Sequence, residues 1–342
     1  MKAIVVTQFG GPETMIYTDV ELPEIHSGQV LIRVEKTSVN FADIKSRYGK
    51  KGTGTLPFIP GLDAVGIVER VGADVKRVKV GQRVIAFPQH GSYAEYAVAD
   101  EQLTFALPDE VDVDTAAACP VVSFTSYKLL ADVARLEPGE TVLIHAAAGG
   151  IGTTAIQLAK ILGAGLVIGT VGSEAKAAAA LEAGADHVIC YEREDFAEKV
   201  NQLTNGEGAN VILDSISGWV SEKSMTCLAP YGRLVHFGNA GGAVGTFATK
   251  DLHASCRSVL GFSFGTTRKM RPHLLHDTAE QVFRLLADGR LRIRIGRRFP
   301  LEEAAKAHEW VESRQSTGKV LLEVRGYMTA CPRPADSDTR FA

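Results

Sequence analysis

The chain has 342 residues, 45% of them hydrophobic and 23% charged, which excludes collagen-like and wholly disordered classes and allows about two domains. Its 37 basic residues nearly balance 40 acidic ones, leaving a net charge of -3, and no basic run marks a nucleic-acid footprint. No window of about 20 residues is uninterruptedly apolar, which excludes a membrane span, and the N-terminal apolar stretch is too short for a signal-peptide core, so a cytoplasmic enzyme is expected.

Residues 1–120 read as mostly β. Residues 3–7 form a strand, and 29–35 alternate with period two, as a half-buried strand does. Residues 61–71, 83–87 and 93–98 continue the series between Gly and Pro, which suggests a small barrel or sandwich. The Gly/Lys/Thr/Pro-rich stretch 49–60 is a loop.

The rhythm changes after Pro120. Strands are expected at 141–145, 166–171, 187–190, 211–214 and 233–237, with helices at 153–162, 194–203 and 217–228 between them. An Ala-rich helix capped by Ser173 and ended by Gly184 completes the alternation. Such alternation builds a parallel sheet with helices on both faces. Toward the end, 258–264 is strand-like, 278–287 and 301–312 are helices, and 318–324 is a strand. Residues 325–342 have no periodicity and read as a disordered tail or a vector-derived remnant.

Five cysteines, Cys119, Cys190, Cys227, Cys256 and Cys331, are odd in number and widely scattered, against a disulfide framework. No C-x-x-C exists to hold a structural zinc.

The sharpest chemical signal runs from Thr141 to Gly152: a buried strand enters Ala147-x-Gly149-x-x-Gly152, and a helix follows at once. This is the dinucleotide fingerprint with Ala in its first slot. Small residues let the backbone of Ala148, Gly149, Gly150, Ile151 and Gly152 approach a pyrophosphate, and the helix start offers N–H donors to it. The same frame also fits a structural tight turn. An NAD-preferring site places an acid at the end of the second strand. Here stand Gly172 and Ser173, with Lys176 three residues on, a set that suits a 2′-phosphate. Glu174 is the competing feature, since an inward carboxylate would favour NADH, and Lys176 also fits a solvated helix position.

With these motifs in view, the sequence resembles the medium-chain dehydrogenase/reductase superfamily, specifically its zinc-free quinone oxidoreductase branch, from Met1 to about Val324. Ser38-Val-Asn40-Phe-Ala-Asp43 is similar to the branch's N-x-x-D segment. Pro60 to Gly66 resembles the region where zinc relatives carry Gly-His-Glu, and Ala146 to Gly152 resembles the A-x-x-G-G-x-G loop. Asn40 and Leu62 stand where zinc relatives supply Cys and His, and neither is a zinc ligand of that kind.

The resemblance implies an α/β architecture: a GroES-like β-rich catalytic domain from residues 1–122 plus 261–324, and a Rossmann NADP-binding domain at 123–260. It implies NADPH contacts from Asn40, Thr125, Tyr191, Ser215, Phe237, Gly238, Phe262, Ser263 and Arg314, beside the glycine loop and the Gly172–Ser173–Lys176 set. Each Phe also fits plain core packing. Well-known members place tyrosines after the N-x-x-D segment; here Lys45 and Lys51 take those places with Tyr48 between them. Asn40 and Tyr48 are therefore the expected substrate-edge residues, and the lysines fit either an anionic acceptor or a solvated loop. The implied activity is zinc-independent hydride transfer from NADPH to a quinone, in a homodimer paired through the strand 258–264. An enoyl or alkenal reductase and a non-catalytic NADPH-binding protein are the alternatives.

Overall fold

A computed structural model describes residues 1–50, 55–89 and 91–324. The expected tail, Lys51 and Cys331 lie outside the described residues.

The N-terminal part is β-rich. β1 (Lys2–Val6) and β2 (Met15–Asp19) pair antiparallel. β3 (Gln29–Val39) runs directly into helix α1 (Phe41–Arg47), and β4 (Ala64–Val71), β5 (Arg83–Ala86), β6 (Tyr96–Asp100) and β7 (Thr104–Ala106) follow. β3 was expected to be half-buried, but nine of its eleven residues are buried. It is a central strand, flanked by β4 on one edge and by β6 and a C-terminal strand on the other. α2 (Val113–Ala118) and α3 (Pro120–Tyr127) then lead into the second unit.

That unit alternates as expected: β8 (Thr141–Ile144), α4 (Gly150–Ile161), β9 (Leu166–Val171), α5 (Ala177–Glu182), β10 (His187–Cys190), α6 (Phe196–Leu203), β11 (Ala209–Asp214), α7 (Trp219–Ser224), β12 (Leu228–His236), α8 (Thr249–His253) and β13 (Ser258–Gly261). The strands are parallel in the order β10-β9-β8-β11-β12-β13. Counted from β8 this is 3-2-1-4-5-6, the Rossmann arrangement, with its switch point between β8 and β11.

α9 (Phe264–Met270) and α10 (Leu275–Ala287) come next, then β14 (Ile295–Pro300), α11 (Ala304–Glu312) and β15 (Lys319–Glu323). β14 and β15 return to the first sheet, which reads β14-β15-β3-β4-β5-β7. The two sheets share one core: Val65 and Phe87 pack in a single cluster with Val142, Phe124 and Phe283.

Three local expectations need correction. Ser173 does not cap its helix through its side chain; a single 3-10 turn, Glu174–Lys176, comes before α5. The helix expected at 217–228 shrinks to α7, because Ser217 and Gly218 take positive φ and the chain enters β12 at Leu228. The strand expected at 258–264 stops at Gly261, and Ser263 Oγ accepts from Thr266 N at 3.2 Å to start α9.

Candidate active site

The C-terminal ends of the parallel strands converge where such sheets bind ligands. After β8, Ala146 takes a φ of 54° and turns the chain toward α4. The turn is too tight for a side chain at Gly152: an added Cβ would sit 2.4 Å from Ala146 O. Gly149 caps α4, leaving the first-turn N–H groups of Gly150, Ile151 and Gly152 without helical acceptors. α3 packs on this turn, with Ser126 Oγ donating to Ile151 O at 3.3 Å. Next to Ser126 in sequence, Thr125 is buried at 4% exposure and its Oγ1 has no partner.

At the end of β9, a Cβ on Gly172 would meet Tyr191 Oη at 2.7 Å, so the glycine leaves room for the phenol. Lys176 is half-buried, and its pKa is held below the ordinary lysine value by burial and then by the neighbouring Arg314 cation. The Arg314 charge outweighs the Glu192 carboxylate that also acts on Lys176, and two neighbouring cations favour an anion beside them. Glu174 does not compete: it is exposed and reaches Arg193 at 3.6 Å. Ser173 lies beside this group without a side-chain cap bond.

At the ends of β11, β12 and β13, Ser215 O accepts from Ala240 N at 2.9 Å, and Gly238 lies close against Ser215. Phe237, Gly238, Phe262 and Ser263 line one cavity of about 580 Å³, together with Thr266, Met270 and Arg271. Glycine turn, cation pair, unpartnered Thr125 hydroxyl and this cavity together fit an extended, phosphorylated dinucleotide.

The opposite wall of the cleft is built on the N-cap of α1. Asn40 N donates to Asp43 Oδ2 at 2.8 Å, and Asn40 Nδ2 donates to Asp63 Oδ2 at 3.2 Å. Asp43 is tied to the rear of the lobe by a chain of definite direction. Arg47 Nη1 can only donate, so His308 Nδ1 accepts from it at 3.0 Å and the ring carries its proton on Nε2. That Nε2 donates to Tyr93 Oη at 3.1 Å, and Tyr93 Oη donates to Asp43 Oδ2 at 3.5 Å. Burial and the Arg47 charge hold the His308 pKa down at about 3, so the ring is neutral. Arg47 Nη2 closes the chain by donating to both carboxylate oxygens of Glu312, at 2.9 and 2.8 Å.

Tyr48 does not join Asn40. It is 38% exposed, and its ring lies 4.5 Å from the Arg47 guanidinium. Lys45 crosses the cleft instead, donating to Asn239 O at 2.5 Å. Arg268 crosses it too, donating to Leu62 O at 3.1 Å. Sequence reasoning missed both bridges, and it missed Lys319, which donates to Asn40 Oδ1 at 2.7 Å.

Comparison with known proteins agrees with this geometry. Residues 26–109 match the alcohol dehydrogenase GroES-like domain family, and 150–281 match the zinc-binding dehydrogenase family. A Pseudomonas aeruginosa quinone oxidoreductase is 39% identical over 94% of the chain and 99% of its own length. The chain belongs to the quinone oxidoreductase branch of the medium-chain dehydrogenase/reductase superfamily. A 2-haloacrylate reductase from Burkholderia is 34% identical, over 94% of this chain and 98% of its own. The structure of Escherichia coli quinone oxidoreductase complexed with NADPH superposes on this quinone oxidoreductase-branch chain with a TM-score of 0.89, at 33% identity, covering 94% of this chain and all of that one. Asn40 is engaged by Lys319 and Asp63, and among the described residues no group of three His, Cys, Asp or Glu side chains is placed to hold a metal.

Proposed function

We propose that this protein is an NADPH-dependent, zinc-independent reductase of quinones. The observation that carries the reading is the cleft itself: a dinucleotide turn and a cation pair on one wall face the Asn40 N-cap on the other. Bound NADPH supplies a hydride to the acceptor, and a proton from water completes the hydroquinone. The chain's residues do the rest. The N–H groups of Gly150, Ile151 and Gly152 take the pyrophosphate, with Ala148 and Gly149 forming the turn. Lys176 and Arg314 take the 2′-phosphate, beside Gly172, Ser173 and Tyr191. Thr125, Ser215, Phe237, Gly238, Phe262 and Ser263 hold the nicotinamide half, with Thr125 Oγ1 available to its amide. Asn40 offers an N–H to the acceptor oxygen on which negative charge builds. Tyr48 belongs to the outer rim, since it is 38% exposed.

We divide the chain into a catalytic lobe, 1–122 and 261–324, and a cofactor lobe, 123–260. α9 and α10 fold back onto the cofactor side, where Phe283 meets Phe124 at 6.2 Å. A cytoplasmic setting accords with the free thiols of Cys119, Cys190, Cys227 and Cys256, and among the described residues no helix is long and apolar enough to cross a membrane. A homodimer accords with β13, which among the described residues pairs with β12 alone and leaves an apolar edge for a second copy.

The test is NADPH consumption with 1,4-benzoquinone, 9,10-phenanthrenequinone and 2-alkenals. Quinone turnover supports the proposal. Turnover of alkenals alone would support the second reading, an activated-alkene reductase, which the resemblance to a 2-haloacrylate reductase favours. Binding of NADPH with no turnover would leave a non-catalytic binding protein.

A further inference from the structure

Lys319 opens β15 and is buried at 3% exposure. Its ammonium donates to Asn40 Oδ1 at 2.7 Å and to Val39 O at 3.1 Å, both neutral acceptors. Asp63 and Asp43 act on it only through space. A buried ammonium without a bonded carboxylate is costly, and an apolar residue in its place is often neutral or stabilising. Its contribution to stability therefore does not account for it.

Its placement suggests another role. Lysine has donors and no acceptor, so it fixes which end of the Asn40 amide faces it: Oδ1 is held by Lys319, and Nδ2 is directed to Asp63. The second contact of Nδ2, to Ser38 O, is 3.4 Å long and the easiest to exchange for another acceptor. The stem of the same lysine lies on the dinucleotide turn. A Cβ on Gly150 would sit 2.8 Å from Lys319 Cδ. The preceding residue, Gly318, donates its N–H to Ala148 O at 2.9 Å and bridges Gly149. One dipeptide thus touches both walls of the cleft.

We propose that Lys319 is a positioning residue for hydride transfer: it sets the orientation of the Asn40 amide and ties Asn40 to the glycine turn that carries the cofactor. The inference rests on the reductase reading. It places Asn40 and the nicotinamide in one rigid frame, so that the N–H aimed at the acceptor oxygen and the transferable hydride keep a fixed separation. Positional errors of about 1 Å in such frames cost on the order of a hundredfold in rate.

The experiment is a double-mutant cycle with Lys319→Met and Asn40→Ala, following quinone reduction at saturating NADPH. Lys319→Met keeps the aliphatic stem on Gly150 and removes the donor. Alone it should lower kcat at least tenfold, with the KM for NADPH within threefold of wild type and a melting temperature unchanged or raised. In the Asn40→Ala background the same substitution should change kcat less than twofold, because the group it orients is gone. Equal losses in both backgrounds, or wild-type kcat in the single variant, would overturn the role. So would failure of both Lys319→Met and Lys319→Gln to fold, since that would make the lysine structural. An inactive wild type would overturn the reductase reading itself, whereas an active wild type matched by Lys319→Met overturns only this inference.

Discussion

Replacing Lys176 by Ala should weaken NADPH binding by about 10- to 150-fold and leave NADH within twofold. The magnitude follows from the two cations. Lys176 is half-buried, so a charge-assisted bond from it to a phosphate contributes about 1.5–3 kcal/mol. Arg314 is exposed, and solvent screening reduces its share to about 0.2–1 kcal/mol. Together they predict a preference for NADPH of about 1.2 to 2.9 decades, with Arg314→Ala costing only about 1.5- to fivefold. Fluorescence titration of each variant with both cofactors reads these ratios. The pH dependence has a definite sign. The phosphate binds the protonated lysine, so affinity is full below the Lys176 pKa and falls as pH rises through it. Burial and Arg314 hold that pKa below the ordinary 10.5, so the loss begins at a lower pH than for a free lysine. Equal losses of NADPH and NADH in Lys176→Ala would show that the residue supports the fold and does not read the 2′-phosphate. Tighter wild-type binding of NADH would refute the whole assignment of this strand end.

Gly152→Ala should abolish measurable NADPH binding, because its Cβ would lie 2.4 Å from the backbone oxygen of Ala146; retained affinity by calorimetry would mean the turn can open. Stability should fall in acid. His145 and His308 are buried with pKa values held down at about 4 and about 3, so their contribution is full above the unfolded value near 6.5 and is lost as pH drops toward those folded values, by about 1.4 kcal/mol per pH unit for each. A melting temperature that stays flat from pH 7 to pH 4.5 would contradict the buried neutral assignment. Metal analysis of purified protein should find no stoichiometric zinc, and activity should survive EDTA; one tightly held zinc per chain would sink the reading of Asn40 and Leu62.

Much of the cofactor wall could be read from the chain because its signals are local. The strand, the glycines and the helix of 141–161 are contiguous, and their spacing reports the turn directly. The end of β9 was readable for the same reason, although only the structure disposes of Glu174, whose partner Arg193 is on the surface. The opposite wall was harder. Lys319 and Asn40 lie 279 residues apart, and a lysine opening an apolar strand carries no mark of burial in its sequence. Arg268 and Lys45 bridge the cleft to main-chain oxygens, which have no residue identity to match. The helices α1, α2, α3, α8 and α9 also went unread. For α1 a signal was present: Asn40 with Asp43 three residues on is an N-cap pair of capping-box type, but it was read for its family motif alone. Ser263 likewise reads as an N-cap once α9 is known.

The placement of β15 against β3 has a consequence for how the protein is made. Val320 pairs with Val39 and Leu322 with Thr37, so the middle of the first sheet stays open until β15, the last described strand, has been synthesised. At ~5–20 residues per second the 279 residues between Asn40 and Lys319 take about 14–56 s to emerge. During that interval the far end of β3 presents unpaired N–H and C=O groups, and the ammonium that holds Asn40 does not yet exist. The parallel sheet can form within the wait. It shortens the path between the two ends of the catalytic lobe, whose closure as a free loop would cost about 5 kcal/mol. A nascent chain halted after β13 would therefore lack Arg314, carry the glycine turn without Gly318 and Lys319 against it, and keep an open edge where its acceptor site belongs.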